Sequence, residues 1–136
     1  MMLNPFVFQP LGVFAALACH MVVGFLWYSP ALFGTIWMRG LKFDEKNLSM
    51  HAGHIIGTAL VGLCIALTLG HFLSLAGVTS CTTAIEYALT YWLGFVAAPN
   101  FSQVIWAQKP IPVWMVDIGF YAVDFSLIAC IMVKMG

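Results

Sequence analysis

Four long apolar runs, separated by short stretches that hold the prolines and most of the charges, set the pattern of this chain. They cover about 11–28, 52–76, 82–105 and 113–133. Pro5 and Pro10 precede the first run and Ser29-Pro30 closes it; proline is tolerated at a helix start and disfavours helix in the residue before it. The third run reaches Val96 ahead of Pro99 and continues through a kink, and the fourth is entered through Pro110 and Pro112. Crossing hydrocarbon takes roughly 20 apolar residues in a helix, so the pattern predicts four membrane spans.

The connections are unequal. Twenty-three residues, Ser29 to His51, join the first two spans, whereas the later links are much shorter. Short links make sequential helices antiparallel neighbours, which predicts an all-α bundle of four transmembrane helices in a single domain, 1–136. The long link mixes Leu32, Phe33, Ile36, Trp37 and Leu41 with Arg39, Lys42, Asp44, Glu45 and Lys46. That mixture predicts a short amphipathic helix lying in the interface and then a polar turn. A loop dipping its apolar residues among headgroups is the other reading.

Composition strengthens the membrane reading. The chain is 62% hydrophobic and 7% charged, against roughly 25% charged in soluble domains. Five basic residues balance five acidic ones, which excludes a basic surface for nucleic acid. The lipid bilayer is the expected partner. Cys19, Cys64, Cys81 and Cys130 form no Cys-x-x-Cys pair, hence neither a disulfide framework nor a zinc signature. Cys19 follows Ala16-Leu17-Ala18 as at a lipoprotein cleavage site, but no basic residue opens the chain and the apolar run continues, so the first segment is expected to be a retained span.

Arg39, Lys42, Lys46 and Lys109 fall in the first and third links, with Lys134 alone opposite them. The positive-inside rule then places links 29–51 and 106–112 in the cytoplasm and both termini outside, in a multi-pass protein of the cell membrane. Trp27, Tyr28, Trp37, Trp106 and Trp114 collect at the same boundary, as an aromatic belt does.

The stretch Gly24-Phe-Leu-Trp-Tyr-Ser-Pro-Ala-Leu-Phe-Gly34, followed by Trp37-Met38, resembles a bacterial membrane family catalogued as domain of unknown function 1761, with a weaker match at Trp92-Leu-Gly-Phe-Val96. The resemblance implies a small four-helix integral membrane protein and supplies no catalytic residues. A faint internal echo pairs Gly24-Phe25, Pro30 and Trp37 with Gly94-Phe95, Pro99 and Trp106. It is compatible with a parallel repeat and equally with chance in a sequence rich in apolar residues and Trp.

Ionisable side chains inside a span cost about 2.5 to 3.5 kcal/mol each on insertion scales, so each asks for a reason. Asp117 and Asp124 lie seven residues apart with Tyr121 between them, which puts all three on one stripe rising about 10 Å along the fourth span. His20 and Asp124 sit at depths differing by only about 5 Å, so they can meet near the midplane. The pair reads either as a proton-accepting site or as a polar contact that fixes which helices touch. His71 and Glu86 flank the second short link and could form an outer pair, or Glu86 could snorkel to the surface. His51 and His54, at i and i+3, could join Asp117 as a weak three-ligand metal site, without a supporting motif. Gly53 and Gly57 make a Gly-x-x-x-Gly step that suits close helix packing or self-association. Asn100, Gln103, Asp117 and His54 could line a cytoplasmic vestibule, or the third helix could simply end among headgroups.

No nucleophile elbow, phosphate loop or dinucleotide pattern appears, and no cofactor is implied. An enzyme is therefore not the expectation. The expected function is movement of protons or a small solute along a polar seam of His20, Asp124, Asp117, Tyr121, Glu86 and His71, in a homo-oligomer because four short helices leave little room for a private path. The alternative is a non-transporting scaffold or accessory subunit whose polar residues only specify packing.

Overall fold

A computed structural model describes residues 9–42 and 51–135. Among them the chain is all α, with no strand. Its elements are α1 (Pro10–Trp27), α2 (Gly34–Leu41), α3 (Ala52–Leu75), α4 (Cys81–Trp92), a π-helical turn (Leu93–Ala97), α5 (Ala98–Trp106) and α6 (Ile111–Met135). The polar turn expected around Asp44, Glu45 and Lys46 lies outside the described residues.

Among the described residues three helices, α1, α3 and α6, are long and apolar enough to cross a membrane. The third segment, expected as one long span, is helical from Cys81 to Trp106 but built from two short α-helices joined by the π turn. Pro99 is the physical reason, because it has no N–H for the helical ladder and its ring crowds the preceding turn. Side chains satisfy carbonyls at the bulge: Asn100 Nδ2 donates to the Val96 carbonyl at 2.7 Å, and Trp114 Nε1 to that of Ala97 at 3.3 Å. Asn100 thus serves its own helix. Pro30, by contrast, lies in the turn after α1, so the two halves of the internal echo have different local structures.

Helix ends follow local chemistry. Pro10 opens α1 where its missing N–H costs nothing. Gly77, at φ +69°, ends α3, with the Val78 N–H donating to Leu73 and the Gly77 N–H to Ser74; only glycine takes this left-handed position without strain. Ser80 then caps α4 by accepting from the Thr83 N–H.

Helix α6 is the hub, packing against α1, α3 and α4, whereas α3 and α4 barely touch although a short turn joins them. Sequence adjacency was the wrong guide to this pairing, because α6 carries the longest set of buried positions. Register fixes direction: His20 meets Asp124, Gly24 meets Phe120 and Trp27 meets Val116, so α1 and α6 are antiparallel. Trp92 meets Ile118 and Cys81 meets Cys130, so α4 is also antiparallel to α6. Two indoles tie the helices together, Trp27 Nε1 donating to the Val116 carbonyl at 2.9 Å and Trp92 Nε1 to that of Ile118 at 2.7 Å. These Trp residues do more than mark a boundary.

The apolar core fills the half of the bundle nearer Gly77. Ala16, Ala66, Ala84, Ala88 and Ala129 bring the backbones close, and Leu69, Leu73, Phe125, Ile128 and Met132 fill the space between them. At the other end the first turns of α3 stand away: residues 51–58 are exposed, and a Cβ added at Gly53 or Gly57 would meet nothing within 4 Å. The Gly-x-x-x-Gly step thus receives no neighbour from the described chain. The amphipathic helix is present as α2, and it is docked on α6. Gly40 faces Val113 so closely that any side chain there would collide with it.

Candidate functional site

Among the described residues, His20 and Asp124 are the two polar ones in the buried interior, 1% and 0% exposed. Their depths along antiparallel helices match, and His20 Nδ1 lies 2.7 Å from Asp124 Oδ2. With Asp124 ionised its oxygen accepts, Nδ1 carries the proton, and in the neutral ring the lone pair is then at Nε2. Neither His20 Nε2 nor Asp124 Oδ1 has a hydrogen-bond partner among the described residues. A buried polar atom left unpaired costs about 1 to 3 kcal/mol, which marks the pair as more than an ordinary contact.

The ring is seated by Gly62 of α3. A Cβ on Gly62 would fall within 2.8 Å of both Cδ2 and Cγ of the imidazole, a separation real side chains do not occupy. On the other side Phe120 tilts against the ring, with centroids 5.6 Å apart. Ala16, fully buried one turn before His20, keeps α1 close to its neighbours.

Nearer the lysine-bearing end, Asp117 is held from two directions. Tyr28 donates its hydroxyl to Oδ1 at 2.6 Å, and Lys109 Nζ donates to Oδ2 at 2.8 Å. Tyr28 also packs edge-on against Phe120, which joins this cluster to His20. Sequence reasoning placed Tyr28 in an aromatic belt and Lys109 among topology signals. The signal available was depth, since Tyr28 follows His20 by two helical turns just as Asp117 precedes Asp124 by two.

Tyr121 lies half-buried on the same stripe, its ring against Phe120 and Phe125. Glu86 is exposed on the surface of α4 and lies outside the buried cluster; its spacing from Thr90 serves α4 itself, through a hydroxyl donated to the Glu86 carbonyl. His71 is half-buried beside Phe72. The apolar core separates this end of the molecule from His20.

His51 and His54 are stacked, and the His51 N–H donates to His54 Nδ1 at 3.0 Å, closing the first turn of α3. Both Asp117 oxygens are engaged by Tyr28 and Lys109, so the three side chains do not assemble as a ligand set. Among the described residues no group of three His, Cys, Asp or Glu could hold a metal.

Two cavities adjoin the cluster. A groove of about 540 Å³ between α1, α3 and α6 has His20 among its lining residues, with Phe25, Tyr28, Thr58, Phe120 and Tyr121. A shallower hollow of about 620 Å³ lies between α2 and the α5–α6 link, lined in part by Lys42, Gln103, Lys109 and Asp117. Of the residues expected to line a vestibule, Gln103 and Asp117 border this hollow, His54 borders the groove and Asn100 borders neither. Lys42 and Gln108, the non-glycine residues with positive φ among those described, both border the hollow.

No curated protein and no solved structure matches the chain. A family model does: the one described as "Protein of unknown function (DUF1761)" covers residues 11–133, from the first turn of α1 to the last of α6, and the chain belongs to that family.

Proposed function

We propose that the chain is a small four-span membrane protein with a proton-accepting site at His20 and Asp124. Residues 81–106 serve as the remaining span, both termini lie outside, and the lysine-bearing end faces the cytoplasm. The observation that carries this reading is the unpartnered Nε2 of a buried imidazole whose other nitrogen is oriented by a carboxylate. Such a ring can take up and release a proton without moving its Nδ1–H bond. Ionisable groups placed this way inside a bundle commonly mark proton or solute paths.

The path is one-sided. Lys109, Asp117 and Tyr28 lead from the cytoplasmic end to Phe120 and His20, and above Asp124 the core of Leu73, Ile128 and Met132 closes the way. Translocation of a proton or small solute therefore requires a second arrangement in which that core opens and the inner approach closes. The same closure favours a second reading, a scaffold subunit in which the pair specifies the pairing of α1 with α6.

Reconstituted liposomes with a pH-sensitive dye separate the two. Under an imposed pH gradient the wild-type chain should carry protons, and folded Asp124→Asn should lose the bulk of that flux. Wild-type liposomes no leakier than empty ones would overturn transport and leave the scaffold.

A further inference from the structure

Spacing along the chain offers no cysteine pair, yet the fold makes one. Cys81 opens α4, and Cys130 lies near the end of α6, one turn before Lys134. Cys81 Sγ sits 4.0 Å from the carbonyl oxygen of Cys130, and Cys130 Sγ sits 3.7 Å from that of Cys81. A hydrogen bond also links the two thiols. This reciprocity places both sulfurs in the gap between the two backbones, where a bond between them would lie. The contact belongs to the antiparallel register that brings Trp92 to Ile118. Ala84, Ala88 and Ala129, fully buried beside it, let α4 and α6 approach closely, as the helices of a disulfide must. Both cysteines are half-buried, and Thr79, Ser80 and Lys134 around them are exposed, so soluble reagents reach the pair from the Gly77 end.

We propose that Cys81 and Cys130 are a redox-active pair that closes to an intramolecular disulfide, tying the start of α4 to the end of α6. The oxidant is a soluble disulfide of the glutathione class. One cysteine thiolate attacks that disulfide, forms a mixed disulfide and expels one glutathione thiolate; the second cysteine thiolate attacks the protein-bound sulfur and expels the other. Two protein thiols are oxidised, one disulfide is reduced, and the two protons leave on the two glutathione thiols. The fold favours the second step because it holds the attacking sulfur beside its target. Since α4 barely touches α3, the bond fixes to the hub an end of α4 that otherwise rests on packing against α6. The chemistry of the pair stands on the fold alone; its access to an oxidising compartment rests on the orientation proposed above, with the Gly77 end outside.

The test incubates the full chain in detergent micelles with oxidised glutathione, then denatures it in N-ethylmaleimide. Intact mass and peptide mapping count the thiols that remain. Of the four cysteines, two should be consumed without retained glutathione, and a peptide linking Cys81 to Cys130 should appear in the monomer. In Cys130→Ala, Cys81 should instead keep a glutathione adduct. Cys64→Ala, on the exposed surface of α3, should leave the link intact. Four free thiols in the oxidised wild type, glutathione held separately on Cys81 and Cys130, or a link to Cys19 or Cys64 would overturn the proposal; each is read on the wild type, whatever the variants do. Trapping with N-ethylmaleimide in intact cells before lysis tests the orientation. A pair that closes in micelles yet is reduced in cells removes the outside placement and leaves the site standing. A pair that stays open in micelles overturns the site and leaves the orientation untouched.

Discussion

Replacing His20 with leucine should destabilise the chain by about 3 to 5 kcal/mol, because it strands a carboxylate in the core with no donor. Asp124→Leu should cost less, about 1 to 3 kcal/mol, since what remains is a neutral imidazole with one orphaned N–H. The asymmetry follows from burial, as both side chains are almost wholly removed from the surface. The hydrogen bond itself is a smaller quantity; contacts of this kind between membrane helices average about 0.6 kcal/mol, because the unfolded chain in the bilayer also finds partners. The double variant, Leu at both positions, should therefore be more stable than His20→Leu alone. Equilibrium unfolding in mixed micelles, run as a double-mutant cycle, reads the coupling directly. If the two single losses simply add, the 2.7 Å contact carries no coupling and the account of the core is wrong.

Glycine substitutions along α3 should change stability in opposite directions. At Gly62 even a methyl group runs into the imidazole, which is pinned between Asp124 and Phe120. Gly62→Ala should cost about 1 to 3 kcal/mol, as overfilled cores do, and should displace the ring from Asp124. At Gly53 and Gly57 an added methyl meets nothing. Each of those alanines should stabilise α3 by about 0.5 to 1 kcal/mol, because glycine in a helix loses more backbone freedom on folding. Unfolding midpoints of the three variants check the signs, and a neutral Gly62→Ala would mean that α3 does not seat His20.

These glycines show where the sequence was readable and where it was not. The meeting of His20 with Asp124 was legible because ionisable residues in apolar runs are few and their depths follow from helical rise alone. Gly62 was not, since a glycine in an apolar helix looks the same whether a neighbour covers it or not. The Gly-x-x-x-Gly spacing drew attention to Gly53 and Gly57, where an added Cβ would meet nothing within 4 Å. Tyr28 and Lys109 carried ordinary boundary roles until the antiparallel register of α1 and α6 brought both to Asp117. Glu86 shows the reverse error: its helical spacing with Thr90 and Gly94 suggested a buried face, yet all three are exposed. The π turn before Pro99 also escaped pattern reading, since proline announces an interruption without saying how the helix continues.

The proton-accepting reading requires that Asp124 fix the tautomer of His20 and leave Nε2 bare. Solid-state NMR of the chain in lipid bilayers, with ¹⁵N-labelled histidine and His20→Leu to assign its signals, measures this most directly. The account predicts a proton on Nδ1, hydrogen-bonded to a carboxylate, and no proton on Nε2. In Asp124→Asn that carboxylate hydrogen bond should disappear. A wild-type ring with its proton on Nε2 and a bare Nδ1 would contradict the proton-accepting site.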